Sequence, residues 1–410
     1  MRRTKGFVGA LVLGSFLGFC RVLAAQEAES TGEPWKLPQP VCLQQAGITI
    51  GGWVEQGITY NALNPKDRFN GPIATNDRAG EYQLNQFWMY MEKRTNTEGG
   101  GWDLGGRIDA IYGTDWRFGE TYGLETRIDD PNSFYGLALP QFYAEVAYND
   151  LTVKMGHFAT LTSLEIVPAP ANFFYSHSLL SCGYFDPLLV TGLQAEYKLN
   201  DHWTAVGGFN RGWMDYEDPS ETLNFLGGAR WADDDQRAKL SLMVDAGKQR
   251  GVMGVNDRTN VITVFTYKLT DRFQYGSQYT AGIEQDGSVI HPGQNASWYG
   301  TEQLFTYMLD EKWSIGLRYE WVRDNDGARV AGVGNVLLTD RGWDGLPGMA
   351  GAYNDLSLGL NWRPNRNVTL RPEVRWDWYD GRPNAAGQLP FGDKDEREQF
   401  LLDADLIVTF

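Results

Sequence analysis

A chain of 410 residues with 52 acidic against 36 basic side chains, a net −16, lacks the basic footprint that nucleic-acid phosphates demand. Beyond the first 25 residues no stretch stays apolar for 18 positions, which excludes helical membrane spans. The 15 Trp, 20 Tyr and 20 Phe exclude a disordered chain, and with 48 Gly they suit pleated sheet with many turns.

In chain order, Arg2, Arg3 and Lys5 precede a short apolar core over 6–19, and Leu23-Ala24-Ala25 supplies small residues before Gln26. This is the layout of a secretory signal peptide over 1–25. Phe19 before Cys20 is too bulky for a lipoprotein processing site. Cleavage removes four basic residues and no acidic one, so the mature chain would carry 32 basic against 52 acidic groups, a net −20. Residues 26–46, with Pro34, Pro38 and Pro40, read as a Pro/Gln-rich periplasmic lead-in. Export leaves two readings for Cys42 and Cys182, a disulfide or two separate thiols. No Cys or His grouping has metal-ligand spacing, so no metal or cofactor is expected.

From residue 47 onward the pattern has period two. Over 102–118 the even positions run Trp102, Leu104, Gly106, Ile108, Ala110, Tyr112, Thr114, Trp116, Phe118, and the odd ones include Asp103, Arg107, Asp109, Asp115 and Arg117. Side chains alternate across a strand, so one face is greasy and the other charged. The same alternation predicts sixteen strands, near 48–61, 82–94, 101–118, 140–149, 151–158, 188–199, 203–213, 224–232, 237–249, 259–269, 272–284, 298–309, 313–323, 354–362, 368–379 and 398–410. Short turns such as Asn149-Asp150 and Thr270-Asp271 alternate with longer loops near 62–81, 119–139, 159–187, 214–223, 250–258, 285–297, 324–353 and 380–397. That sorting is expected of an all-β, antiparallel up-and-down transmembrane barrel.

Aromatics cluster at strand ends. Trp102, Trp203, Phe273 and Trp313 follow short turns, and Trp116, Trp213, Trp321 and Trp378 lie toward the long loops. They predict two belts at the lipid–water interfaces. The chain ends Asp405-Leu406-Ile407-Val408-Thr409-Phe410, an alternating strand whose terminal Phe410 resembles the assembly signal of bacterial outer-membrane barrels.

Several local texts carry a family likeness: Gly52-Trp53-Val54-Glu55-Gln56-Gly57-Ile58-Thr59-Tyr60-Asn61, Tyr82-Gln83-Leu84-Asn85-Gln86, Gly156-His157-Phe158, Ala169-Pro170-Ala171-Asn172-Phe173-Phe174-Tyr175-Ser176 and Leu189-Val190-Thr191-Gly192. Residues 47–410 resemble the OmpL-like β-barrel porin family. The resemblance implies an outer-membrane porin, and with it envelope lipids and the barrel-assembly machinery as partners.

Enzyme motifs are absent: there is no Gly-x-Ser-x-Gly, P-loop or metalloprotease His pair. His177, followed by Ser178, is the sole histidine next to a serine and reads as ordinary loop chemistry. Asp324-Asn325-Asp326-Gly327 begins like a calcium loop but meets Asn335 where an acid is needed. The polar-phase charges Glu55, Asp109, Asp115, Lys239, Asp245, Arg318, Glu320, Arg371, Glu373, Arg375, Asp377, Asp403 and Asp405 are expected to line a wet lumen. Around sixteen strands leave an aqueous channel, so passive diffusion of small hydrophilic solutes is the leading reading. The alternatives are a secreted soluble carbohydrate-binding β-protein and a plugged structural or adhesive barrel. A homo-oligomer fits the first reading.

The third long loop, 159–187, is predicted to narrow the channel. Its charges are Glu165 and Asp186 alone, while Pro168, Pro170, Phe173, Phe174 and Tyr175 make it too apolar to stand in water. Folded inward, it would place Glu165 at the constriction, with Arg107 and Arg117 as wall partners.

Overall fold

The structure is a computed structural model and describes residues 34–73, 75–128, 133–218, 220–330 and 348–410. The signal peptide expected over 1–25 and Asn335 lie outside the described residues. Sixteen antiparallel strands close into one barrel: β1 Thr49–Asn61, β2 Tyr82–Lys93, β3 Trp102–Gly113, β4 Gly136–Tyr148, β5 Leu151–Ala159, β6 Leu189–Lys198, β7 Trp203–Trp213, β8 Asn224–Ala232, β9 Ala238–Gly251, β10 Gly254–Lys268, β11 Phe273–Glu284, β12 Ala296–Met308, β13 Trp313–Asp324, β14 Gly351–Asn365, β15 Val368–Gly381 and β16 Glu398–Thr409. Every strand pairs with its sequence neighbours, and β1 pairs with β16 from Trp53 opposite Thr409 to Asn61 opposite Leu401. Closure leaves no strand edge unpaired, which is the condition for crossing lipid in β form.

Alternation in the sequence becomes alternation of face. In β3, Trp102, Leu104, Ile108 and Tyr112 are exposed on the outside, while Asp109 and Ile111 are buried inside. In β9, Leu242 is 47 % exposed and its neighbour Ser241 only 3 %. An outer face of Leu, Ile, Phe, Tyr and Trp over a whole barrel is far more apolar surface than a soluble monomer shows, which argues against the secreted soluble reading.

Strand ends deviate from expectation where glycine breaks the pleat. β3 stops at Gly113, whose φ is +149°, and residues Trp116–Gly119 form a short helix, α2, buried inside the barrel mouth. β10 starts at Gly254 rather than 259, so the expected loop over 250–258 shrinks to a turn after Gly251.

At the short-turn end, part of the lead-in is ordered against the barrel. A brief helix, α1 Val41–Gln45, follows a segment whose Gln39 side chain brackets the backbone of Ile50. Asn367 exchanges hydrogen bonds with the backbone of Trp35, and the Trp35 ring meets Phe410 edge-on at 5.8 Å. Phe410 in turn exchanges backbone hydrogen bonds with Gly52. Cys42 is an exposed free thiol.

Two outcomes follow from these faces. Leu242→Arg should destabilise the barrel by about 2–4 kcal/mol more than Ser241→Arg, because only the first puts a charge into lipid; chemical unfolding in detergent or liposomes measures the difference. Deleting Phe410, or Phe410→Asp, should leave export intact and abolish the heat-modifiable folded barrel on gels, since it removes the strand end that meets both Gly52 and Trp35.

Candidate pore constriction

The segment between β5 and β6 lies against the inward faces of β1, β2 and β10–β15. A backbone placed there loses water, so its N–H and C=O groups need new partners. The wall supplies them. Glu373 of β15 accepts from the N–H groups of Tyr175 (3.0 Å) and Ser176 (3.1 Å). Glu320 of β13 accepts from Leu179 N (2.9 Å) and Ser178 Oγ (2.7 Å). Arg371 donates to the carbonyls of Ala169 (3.2 Å) and Asn172 (3.0 Å), and Arg375 to that of His177 (3.0 Å). On the far side, Gln86 of β2 holds Val167 O at 2.7 Å and Gln278 of β11 holds Leu164 N at 2.6 Å.

Shape complements this polar network. Tyr175 packs on Gly57, Phe173 on Gly316 and Phe174 on Gly359, each glycine on the inward phase of its strand. A Cβ at any of the three would lie closer to the ring than side chains ever approach. These glycines were not singled out from sequence, although glycine on the polar phase of an otherwise regular strand was the available signal.

Glu165 is buried and its partner is Arg318 at 3.0 Å; it also accepts from Ser178 N. Arg318 bonds Asp355 at 2.8 Å and stacks over the Phe174 ring, 5.0 Å from its centre. The expected partners are elsewhere. Arg107 pairs with Asp109 (2.6 Å) and Glu92 (3.3 Å). Arg117 is not on the wall at all: it follows the break at Gly113, sits in α2 and pairs with Asp77 of the first loop at 3.1 Å. Asp115, at the same break, accepts from Asn85 and Gln86 rather than continuing the β3 wall. Asp186 accepts from Ser163 Oγ (2.8 Å), Thr280 Oγ1 (3.0 Å) and Gln278, and burial pushes its carboxyl up to about 7.

The remaining lumen-phase charges are largely compensated in place. Arg371 bridges Glu55 (2.8 Å) and Asp405 (2.6 Å), and Arg375 pairs with Asp377 at 2.7 Å. Asp403 accepts from Asn76 Nδ2, and Asp109 also accepts from Trp88 Nε1. Asp245 accepts from Trp213 Nε1 at 2.6 Å. Lys239 faces inward near the short turns of β9.

That last tryptophan corrects the belts. Trp102, Trp203 and Trp313 are exposed on the outside, and Phe273, Trp321 and Trp378 stand half-buried on the outward phase. Trp116 (0 % exposed) and Trp213 (7 %) are inside instead. Trp116 donates to Ser133 O, and Trp213 lies against the guanidinium groups of Arg258 and Arg329. Both follow a glycine of positive φ, Gly113 at +149° and Gly212 at +118°, which turns the chain away from the pleat.

Asp324 receives backbone N–H groups from Asp326, Ala328, Arg329 and Val330, so its carboxylate caps the seventh loop. Among the described residues no group of three or more His, Cys, Asp and Glu is arranged to hold a metal.

Comparison with known proteins agrees with this architecture. Residues 47–410 match the family model described as "Putative beta-barrel porin-2, OmpL-like". No curated protein matches the chain. Among solved structures it is similar to the outer-membrane channel DcaP of Acinetobacter baumannii, with TM-score 0.57 at 12% identity over 89% of this chain and 98% of that one. An anion-selective porin from Comamonas acidovorans gives TM-score 0.57 at 10% identity over 88% and 99% of the two chains. OprB of Pseudomonas putida gives 0.54 at 13% over 90% and 95%. At such identities these structures speak to the fold alone.

If the glycine seats hold the loop, Gly316→Val with Gly359→Val should lift Phe173 and Phe174 from the wall while the barrel stays closed. The expected result is a heat-modifiable barrel whose 159–187 segment becomes cleavable by added protease.

Proposed function

Because the chain belongs to the OmpL-like β-barrel porin family, an outer-membrane porin family, we propose that it is a passive diffusion channel narrowed by the segment 159–187. The observation that supports this most is the seating of that segment across the inner wall through Glu165–Arg318, Glu320 and Glu373. A small hydrophilic solute would pass between the loop and the wall with no covalent step, so the protein acts as a conduit and not as an enzyme. Selection then rests on bore and on wall charge.

The chain reaches its site by export, with the signal peptide over 1–25 removed. It is folded into the outer membrane by the barrel-assembly machinery, and Phe410 is the residue that machinery reads. Lipid contacts the outward Leu, Phe and Trp face described above. The plugged-barrel reading differs in one measurable way, since it conducts nothing.

Reconstitution into planar bilayers and liposomes tests the proposal. The wild type should give discrete conductance steps and admit sugars in a size-graded series. Deleting part of 166–180 should raise single-channel conductance, and Glu165→Gln should change cation/anion preference by removing one carboxylate beside Arg318. Conductance and preference unchanged in both variants would remove the loop from the conduction path.

A further inference from the structure

Most inward-facing arginines of the barrel wall are neutralised by carboxylates of the same wall or its loops: Arg107, Arg230, Arg258, Arg318, Arg371 and Arg375 all form ion pairs. Arg363 of β14 departs from this pattern. Among the described residues it has no carboxylate partner, and the only hydrogen bond of its side chain is a long one of 3.5 Å to Ser314 Oγ. It is inward and 8 % exposed. Two positions up the same face stands Asn361, 1 % exposed, with both its amide nitrogen and its amide oxygen lacking a partner. Ser314 lies directly across from Asn361 on β13.

The surroundings extend the asymmetry. On β9 to β14 the two inward positions nearest the short turns hold three cations, Lys239, Lys268 and Arg363, and no carboxylate. The rest are Ser, Thr, Gln, Asn, Gly and Met. Acidic residues return only in the turns themselves. There Asp233 accepts from the backbone N–H groups of Arg237 and Ala238 and also acts electrostatically on Lys239. Toward the long loops the arc is bounded by Phe173, seated on Gly316 at its upper edge, and Phe174 on Gly359 just above it.

We infer that this arc is an anion-binding landing below the loop, with Arg363 as its centre and Asn361 and Ser314 as flanking hydrogen-bonding groups. It rests on the channel reading and adds the class of solute: small hydrophilic anions, carboxylates in particular. A carboxylate matches the planar fork of a guanidinium and takes a further bond from an amide N–H. The net −16 of the chain does not oppose this, because within a Debye length of about 8 Å a solute in the lumen feels the local wall rather than the distant loops.

Bilayers under a KCl gradient give the ion preference as a reversal potential, and liposomes give the entry rates of glucuronate and glucosamine, a sugar acid and a sugar amine of similar size. The wild type should favour chloride over potassium and glucuronate over glucosamine. Arg363→Gln combined with Lys239→Gln should lower both ratios roughly twofold or more, whereas Arg363→Lys, which keeps the charge, should retain most of the preference. Each variant is first confirmed as a heat-modifiable barrel. Conducting channels that favour cations, or whose ratios do not move in the double variant, overturn the arc and leave the channel reading standing. No conductance in the wild type overturns both.

Discussion

A length of backbone placed inside a barrel must find a partner for every N–H and C=O it takes away from water, and the rest of this structure answers to that constraint. Sheet geometry cannot help, because each wall strand already pairs with both its neighbours. The partners come from side chains: carboxylates of Glu320 and Glu373 for the loop's N–H groups, guanidinium groups of Arg371 and Arg375 for its carbonyls. Charge inside the lumen therefore has two roles. Much of it anchors polypeptide, and only what is left over meets the solute.

Arg318 shows how tightly these roles are joined. It binds Glu165 and Ser176 of the loop, Asp355 of the next strand and the face of Phe174. Stripping one partner from such a buried charge cluster typically costs about 3–5 kcal/mol, because the partner left behind keeps its desolvation penalty. The loop is fixed less by its own sequence preferences than by the expense of leaving wall charges unpaired.

How much of this was legible in the sequence follows from range. Strand number, order and facing are set by a period of two residues, and the sixteen expected strands match the sixteen observed to within a few residues at most ends. The largest misses, Trp116, Arg117 and Trp213, share a cause: each follows a glycine of positive φ that ends the alternation, after which phase says nothing about direction. The inward choice of the 159–187 segment could be read from its lack of charge. Its partners could not, because Glu165 and Arg318 are brought together by barrel closure and not by spacing. Arg107 was a reasonable candidate by phase and is taken by Asp109, two residues away on its own strand.

Pairing of β1 with β16 joins the beginning of the barrel to its end: Trp53 faces Thr409, with nearly the whole chain between them. Contacts between such distant residues form late, since the entropy of closing a very long loop must be met before any of them yields a return. Until then β1 and β16 each present a full row of unsatisfied backbone groups, a template for any other strand within reach. The kinetic hazard of this chain is concentrated at one seam, where an unfinished barrel and a neighbouring copy offer each other the same edge.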